Sequence, residues 1–430
     1  ECLAKGTGVI DGDFNVKNVE DFKVGDTVMR PDGNIGVIAE LHHGTSQMYE
    51  IKQKYGDDYI VSENHNLRLL WGRRDYIPKQ IDPDNNGLYT ISVKDYLALP
   101  KYIRTESYGI KSQGFEFYNE DIPPIPPYMF GYWLGDGDKS RPSICTNDEE
   151  IIEHFTIHMS EVNPSYSYTI RDIKNTTAKI INFGEYYYYG KQRRNKLTEV
   201  LKEVGVYKNK HIPKVYKVSS MKVRLKLLAG FIDADGYKCH PAHGDTYYYE
   251  IVHKKGDLLN DIKFIAESLG FRVSISDKMV NQKAYGRLRI MGDVWIIPVK
   301  VKRKQIEPFK RQIRLITTPI SIEKKDIGEY YGFTLETVTD SENERSLLLK
   351  DFTVTQNSGK FPNLKEAWQI ARPSVEDGNM AFGLLIAYGT GGSEGTDYEG
   401  LNELFYEPNG YNCLPIENIW DERGLDTECG

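Results

Sequence analysis

Leu228-Ala-Gly-Phe-Ile-Asp-Ala-Asp-Gly236 decides how the middle of this chain is read. A proline-free apolar run that closes on acidic residues and a glycine has the pattern of a buried helix stopped by a Gly cap. Met129-Phe-Gly-Tyr-Trp-Leu-Gly-Asp-Gly137 repeats it, with its acid 99 residues earlier. Taken singly, either stretch is an ordinary core helix. As a pair, Gly131, Gly135, Gly230 and Ala234 leave both helices smooth enough to cross at close range. The acids nearest the ends of the two runs are Asp136 and Asp235, with Asp138 and Asp233 close by.

Around these helices, residues 128 to about 310 alternate helical patterns with Tyr- and Arg-rich strands such as Tyr186-Tyr-Tyr-Tyr189 and Arg287-Leu-Arg289. Charge is pooled there. Residues 191–226 hold 12 Lys/Arg against Glu199 and Glu203, and 298–314 hold 7 against Glu307. Residues 359–430 carry 4 basic and 13 acidic residues, so the overall −7 conceals a cationic middle and an acidic tail. A polyanion is the expected partner of the middle. Arg193, Arg194, Arg287, Arg289, Lys302 and Arg303 are the groove or phosphate candidates, although a solvated surface is the commoner use of any one of them.

Outside the middle the texture is β. Residues 2–100 contain short β-branched runs broken by turns such as Pro31-Asp-Gly33, and 315–357 return to the same pattern with Tyr330-Tyr-Gly-Phe-Thr-Leu335 and Ser346–Thr355 around a polar turn at 339–344. Residues 101–127, ending in Ile122-Pro-Pro-Ile-Pro-Pro127, are expected to be a stiff connector without regular helix. After Ser358 the chain turns Gly-rich and acidic, with a buried-strand pattern at 382–388. One β module is thus split around an α/β insertion, with something foreign behind it.

The whole chain has 430 residues, 40 % apolar, enough for two to four domains. Mean hydropathy is −0.53, and no stretch approaches the roughly 20 apolar residues of a membrane span. The opening Glu1-Cys-Leu-Ala-Lys5 is not a signal-peptide pattern. Five scattered cysteines without a CxxC pair argue against a disulfide scaffold or zinc ribbon and fit a reducing cytosol.

Cys2 opening the β module, Ser62-Glu-Asn-His65 in the apolar stretch Tyr59–Leu70, and Asn357-Ser358 at the compositional break together resemble an intein, a segment that excises itself and joins its flanks. The resemblance covers 2–357, including Val24-Gly-Asp-Thr-Val28 and Asp351-Phe-Thr-Val-Thr-Gln-Asn357. It implies that the Cys2 thiol attacks the carbonyl of Glu1, with His65 and Ser62 in the places of the family's His and Thr as proton donor and oxyanion partner. It implies further that the Ser358 hydroxyl takes over the acyl group and that Asn357 cyclises to cut the branch. No cofactor is needed for these steps. Two positions depart from the family: Gln356 stands where a His normally assists cyclisation, and Ser346 stands about where another often lies. Gln donates a hydrogen bond but cannot shuttle a proton, so a slow last step is expected.

The paired helical motifs resemble the LAGLIDADG motif of homing endonucleases. That resemblance implies Mg²⁺ held by Asp136 and Asp235, and it makes Lys210 of Lys210-His-Ile-Pro213 the candidate for the basic residue brought to the active site. Joining Glu1 to Ser358 gives Glu-Ser-Gly-Lys-Phe-Pro-Asn-Leu, which with Ala387-Tyr-Gly-Thr-Gly-Gly392 resembles the large terminase subunit of tailed phages; no GxxxxGK[ST] occurs, so this is at most a fragment.

The expected architecture is therefore an all-β Hint (hedgehog/intein) splicing domain, residues 2–100 and 313–357, interrupted after the linker 101–127 by an α+β endonuclease at 128–312 with two pseudo-symmetric αββαββα halves. An α/β flank fragment follows at 358–430. The expected function is excision of 2–357 with cleavage of double-stranded DNA at the host gene lacking the insert. Its partners are that DNA and its own flanks, as a monomer away from membranes in the cytoplasm of a phage-infected bacterium. Two alternatives stay open: a splicing chain whose insertion only binds DNA, and a packaging subunit that never splices.

Overall fold

The computed structural model describes residues 2–73, 75–117, 122–159, 163–189, 191–240, 246–280, 283–308, 316–336, 345–356, 376–377, 380–381, 416–418 and 427–429. The chain divides into two compact units, Glu1–Ser358 and Gly359–Gly430. In the second, the described residues form two short antiparallel pairs, Glu376–Asp377 with Met380–Ala381 and Ile416–Asn418 with Thr427–Cys429. The strand expected at 382–388, the Gly-rich 387–392 and the polar turn at 339–344 lie outside the described residues.

In the first unit, Ile35–Gln53 and Ile316–Leu335 pair antiparallel from Ile320↔Gln53 to Leu335↔Ile38. These long strands join the chain on either side of the insertion into one eight-stranded sheet. Leu3–Ala4 inserts between Tyr59–Ser62 and Ile316–Leu335, with Leu3 opposite both Val61 and Tyr331. Val28, Ile51, Val61, Leu67, Phe333 and Leu347 form the core beneath, so the sheet is held by apolar burial contributed from both ends of the unit. A final hairpin, Ser346–Leu348 with Val354–Gln356, closes over this body.

Two sequence readings change here. The apolar stretch expected as one strand over 59–70 is two, Tyr59–Ser62 and Asn66–Trp71, because Glu63-Asn64 makes a turn in which the His65 N–H donates to the Ser62 carbonyl at 3.1 Å. The stretch 101–127 is not a bare spacer either. Lys101–Thr105 is helical and Ser107–Lys111 is a strand of the main sheet, since Ile103 and Ile110 bury themselves in the cores of the β body. The proline run does its stiffening only at the end, where Pro127 occupies the first turn of a helix.

That helix, Pro127–Asp136, crosses a second, Met221–Asp235. A Cβ on Gly131 would stand 1.9 Å from the Leu227 carbonyl oxygen, and one on Gly230 would stand 2.0 Å from that of Tyr128. The two backbones touch, and only glycine permits it. After the second helix the strands Gly236–Cys239, Tyr248–Lys254, Lys283–Met291 and Arg272–Val280 form a sheet in that spatial order, with the helix Asp257–Ser268 between the pairs. After the first helix, a bridge between Gly137 and Ile144 leads to a sheet ordered Ser143–Thr146, Lys179–Gly184, Ser167–Asp172, with the helix Glu149–Thr156 between. The order of elements is the same, although the first strand of the earlier set is reduced to a bridge. The earlier set also carries an extra hairpin, Tyr186–Tyr189 with Gln192–Asn195, and a closing helix Lys196–Glu203, where the later set has single 3₁₀ turns at Val294–Ile296 and Lys302–Lys304.

The insertion docks on the β body through buried charge. Lys111 Nζ lies 3.0 Å from Asp351 and 3.3 Å from Glu267 of the helix Asp257–Ser268. Fully buried Arg224 donates to the Ser268 and Ser219 carbonyls and to that of Phe115.

Candidate functional site

The strand pairing of Leu3 fixes the backbone of Cys2 against the turn at Ser62. The Ser62 N–H donates to the Cys2 carbonyl at 3.1 Å, and the Cys2 N–H lies 3.4 Å from Ser62 Oγ. Both groups of this residue are therefore registered on the same serine. Three residues on, the His65 ring is 0 % exposed. Its Nε2 sits 2.7 Å from Thr355 Oγ1, while Nδ1 has no partner among the described residues. Burial drives the imidazole pKa down to about 3, so the ring is neutral near pH 7 and presents one nitrogen as donor and the other as acceptor. The structure thus brings Cys2, Ser62 and His65 together. Asn357 and Ser358, like Glu1, lie outside the described residues.

Gln356 is the last described residue before them. It is buried opposite Ser346, and its Nε2 donates to Ser346 Oγ at 3.3 Å. The two positions where histidines were expected face one another and hold a neutral hydrogen bond.

At the crossed helices, Asp136 and Asp235 end their respective helices side by side. Burial, and then the neighbouring Asp235, pushes the Asp136 carboxyl up to about 6; burial also raises Asp235. Two desolvated carboxylates side by side, with no guanidinium paired to them among the described residues, are a donor set suited to a hard divalent cation. Asp233 is spoken for: it is buried and accepts from Tyr128 Oη at 2.6 Å and from the backbone N–H groups of Lys300 and Val301. Asp138 caps its own turn, accepting from the Ser140 N–H and hydroxyl.

Lys210 Nζ reaches the end of the first helix, donating to the carbonyls of Leu134 at 3.0 Å and Gly137 at 2.7 Å. Desolvation lowers its pKa to about 8 despite the nearby Asp136 and Asp235. The sequence reading missed its counterpart. Lys304 Nζ donates to Ile232 at 2.9 Å and Asp233 at 2.7 Å at the end of the second helix, and its pKa too is lowered by burial. A signal existed: Lys210-His-Ile212 and Lys304-Gln-Ile306 stand after the two halves in turn.

Of the basic candidates, Arg287 and Arg289 share Glu250 on the four-stranded sheet at 3.2 and 3.1 Å, leaving side chains about a third exposed. Arg193 and Arg194 stack on Tyr186 and Tyr189 of the exposed hairpin. Arg303 is held 2.9 Å from Asp148, and the Lys302 N–H donates to Glu150 while its side chain is exposed.

Residues 2–80 match the family model described as Hom_end-associated Hint, and residues 211–291 match the one described as homing endonuclease. A replicative DNA helicase DnaB of Mycobacterium intracellulare is 29 % identical over 156 residues, 36 % of this chain but only 21 % of that relative, so this chain spans about a fifth of the relative's length. Among solved structures, the homing endonuclease I-DmoI in complex with DNA and Ca aligns with 38 % of this chain and 81 % of its own at 18 % identity and a TM-score of 0.27. Mesophilic variants of I-DmoI align at the same TM-score over 87 % of their chain, also at 18 % identity. One chain therefore combines a Hint segment at its start with a homing-endonuclease segment in its middle.

Proposed function

We propose that this protein is a self-splicing intein, residues 2–357, that carries a site-specific DNA endonuclease. The observation that carries the reading is the double hydrogen bond of Cys2 to Ser62 with His65 three residues further on, whose Nδ1 has no partner among the described residues. In this reading the Cys2 Sγ attacks the carbonyl carbon of Glu1 while its proton passes to His65 Nδ1. The Glu1–Cys2 C–N bond then breaks as the same proton returns to the Cys2 nitrogen. Ser62 Oγ stands within reach of that peptide to steady the tetrahedral oxygen. The acyl group moves from sulfur to the Ser358 oxygen as the hydroxyl proton passes to the departing Cys2 thiolate. The Asn357 side-chain nitrogen closes on its own carbonyl carbon, breaking the Asn357–Ser358 bond and releasing the excised segment. The freed Ser358 amine then takes the acyl group from its own oxygen to form the peptide bond. The thiol supplies the nucleophile at neutral pH that a hydroxyl alone would not.

The insertion cleaves DNA at the host gene without the insert. Asp136 and Asp235 would hold Mg²⁺, which when bound supplies charge neutralisation at the scissile phosphate and an activated water. Lys210 and Lys304, each anchored to a helix end, add positive charge on either side of the carboxylates. The matching strand orders support a reading as two pseudo-symmetric halves laid along the major groove, with Arg287 and Arg289 on one sheet and Arg193 and Arg194 on the hairpin of the other. The intact carboxylate and lysine pairs favour cleavage over a DNA-binding remnant. The flanks read as a phage terminase fragment, with Glu1 and Ser358 rejoined by splicing.

Expression of the chain tests this by mass. Release of a fragment of about 40 kDa, scaled from 49.4 kDa for 430 residues, is expected, and Cys2→Ala with Asn357→Ala must abolish it. A chain that stays whole refutes splicing. DNA spanning the uninterrupted flanks, incubated with Mg²⁺, should be cut at the insertion point, and uncut DNA would leave only a binding role.

A further inference from the structure

His65 is fully buried, and Thr355 is the one partner that its ring has among the described residues. Its turn is pinned by backbone bonds: the His65 N–H donates to Ser62, and its carbonyl accepts from Val93 at 3.0 Å. The ring therefore has little freedom to turn, and what can change is its protonation. Thr355 itself is 1 % exposed in the strand Val354–Gln356, paired with Leu347. Its hydroxyl oxygen has lone pairs that can accept from a ring N–H.

We propose that Thr355 is a positioning residue for the upstream step, its hydroxyl accepting from His65 Nε2–H throughout. Nδ1 then has a bare lone pair when it takes the Cys2 thiol proton, and the ring, by then protonated at both nitrogens, gives the same proton back from Nδ1. The inference rests on the splicing reading above. With Nε2–H donating to Oγ1, Nδ1 has its lone pair free. The other tautomer, in which the hydroxyl would donate to Nε2, carries its hydrogen on Nδ1 and leaves no lone pair there for the thiol proton. Without the hydroxyl, a buried Nε2–H has nothing to bond in either the neutral or the protonated ring, which costs more than an unbonded lone pair, so the form with Nδ1 bare is disfavoured. A second consequence follows from the 290 residues that separate the pair. The imidazole is primed only when the closing strand has docked, so the hydroxyl arrives on the strand that leads directly to Asn357. The upstream peptide is thereby protected from cleavage until the downstream end is in place.

The test uses the full chain, extended upstream by host residues, in an Asn357→Ala, Ser358→Ala background that stops the reaction at the thioester. Cleavage at Glu1 by added dithiothreitol is the readout. Thr355→Val should slow release by at least about tenfold, and Thr355→Ser should stay within about twofold of the parent. In a Cys2→Ala, Asn357→Ala chain with ¹⁵N-labelled histidine, the His65 ring signals, assigned by their loss in His65→Gln, should move to a different tautomer balance with Val and not with Ser. Release at the parental rate by Thr355→Val, or equal loss with Thr355→Ser, would overturn the role of the hydroxyl, as would ring signals that do not move. If the parent with Thr355 intact releases nothing, the splicing reading itself fails and takes this inference with it.

Discussion

Lys304 stands to the second crossed helix as Lys210 stands to the first: each ammonium donates to a carbonyl within the last turn or just past it, Asp233 at 2.7 Å for one and Gly137 at 2.7 Å for the other. Positive charge at a helix C-terminus offsets the negative end of the dipole. Here it also places an ammonium beside each carboxylate. Replacing either lysine with Met should lower DNA cleavage by about 10²-fold while weakening binding far less, read by plasmid cutting and gel shift on the same preparation. Equal losses in both measurements would reduce the lysines to simple anchors.

The carboxylates predict a pH dependence. A cation needs Asp136 ionised, and its pKa is pushed up to about 6 by burial and by Asp235. Protons compete with the metal below that value, so Mg²⁺ affinity and cleavage should both rise as pH increases through about 6. Titration calorimetry across that range, with Asp136→Asn as the silent control, measures it. An affinity that is flat with pH would show that Asp136 takes no part.

The helix crossing is the least tolerant place in the insertion. Gly131→Ala puts a methyl group 1.9 Å from a backbone oxygen that cannot move without its helix. A destabilisation of about 3 kcal/mol or more is expected, visible as a fall in the melting temperature of the insertion. Gly230→Ala should behave alike, since it meets Tyr128 at 2.0 Å.

Gln356 hydrogen-bonds Ser346 but offers no titratable proton. Gln356→His should speed the last splicing step, measured as the rate at which the branched intermediate disappears on gels. A rate that stays the same or falls would remove the explanation given for a slow step.

Two neutral histidines, the buried His65 and the half-buried His154, make the fold acid-sensitive. Burial holds His65 and His154 near pKa 3 when folded, against 6.5 when unfolded. The unfolded chain therefore binds protons first, so their contribution to stability is complete above about 6.5 and is lost as pH falls toward 3. His154→Leu should flatten the fall of melting temperature over that window relative to the parent.

Much of this was legible in the residues. The run ending in Asp235 and its copy ending in Asp136 gave helix, close crossing and paired acids, because a 3.6-residue period and glycine spacing are local properties. The β character of both outer pieces followed from β-branched runs and turn dipeptides for the same reason. Lys304 was passed over among the seven cations of 298–314, since only its place in a Lys-x-Ile repeat of Lys210-His-Ile212, and nothing in its immediate neighbours, separates a buried ammonium from six others. The helix and strand inside 101–111 were hidden by the prolines that follow, whose constraint acts only on their own neighbours.

The order of residues alone therefore determined which chemical groups the molecule owns and the local form of the segments that hold them. Which groups meet was settled by the pairing of Ile35–Gln53 with Ile316–Leu335, which gathers one sheet from both sides of the insertion. Thr355 touches His65 only because that sheet and its hairpin close over a shared apolar core. Burial from many distant side chains drives that closure, and no short stretch encodes it.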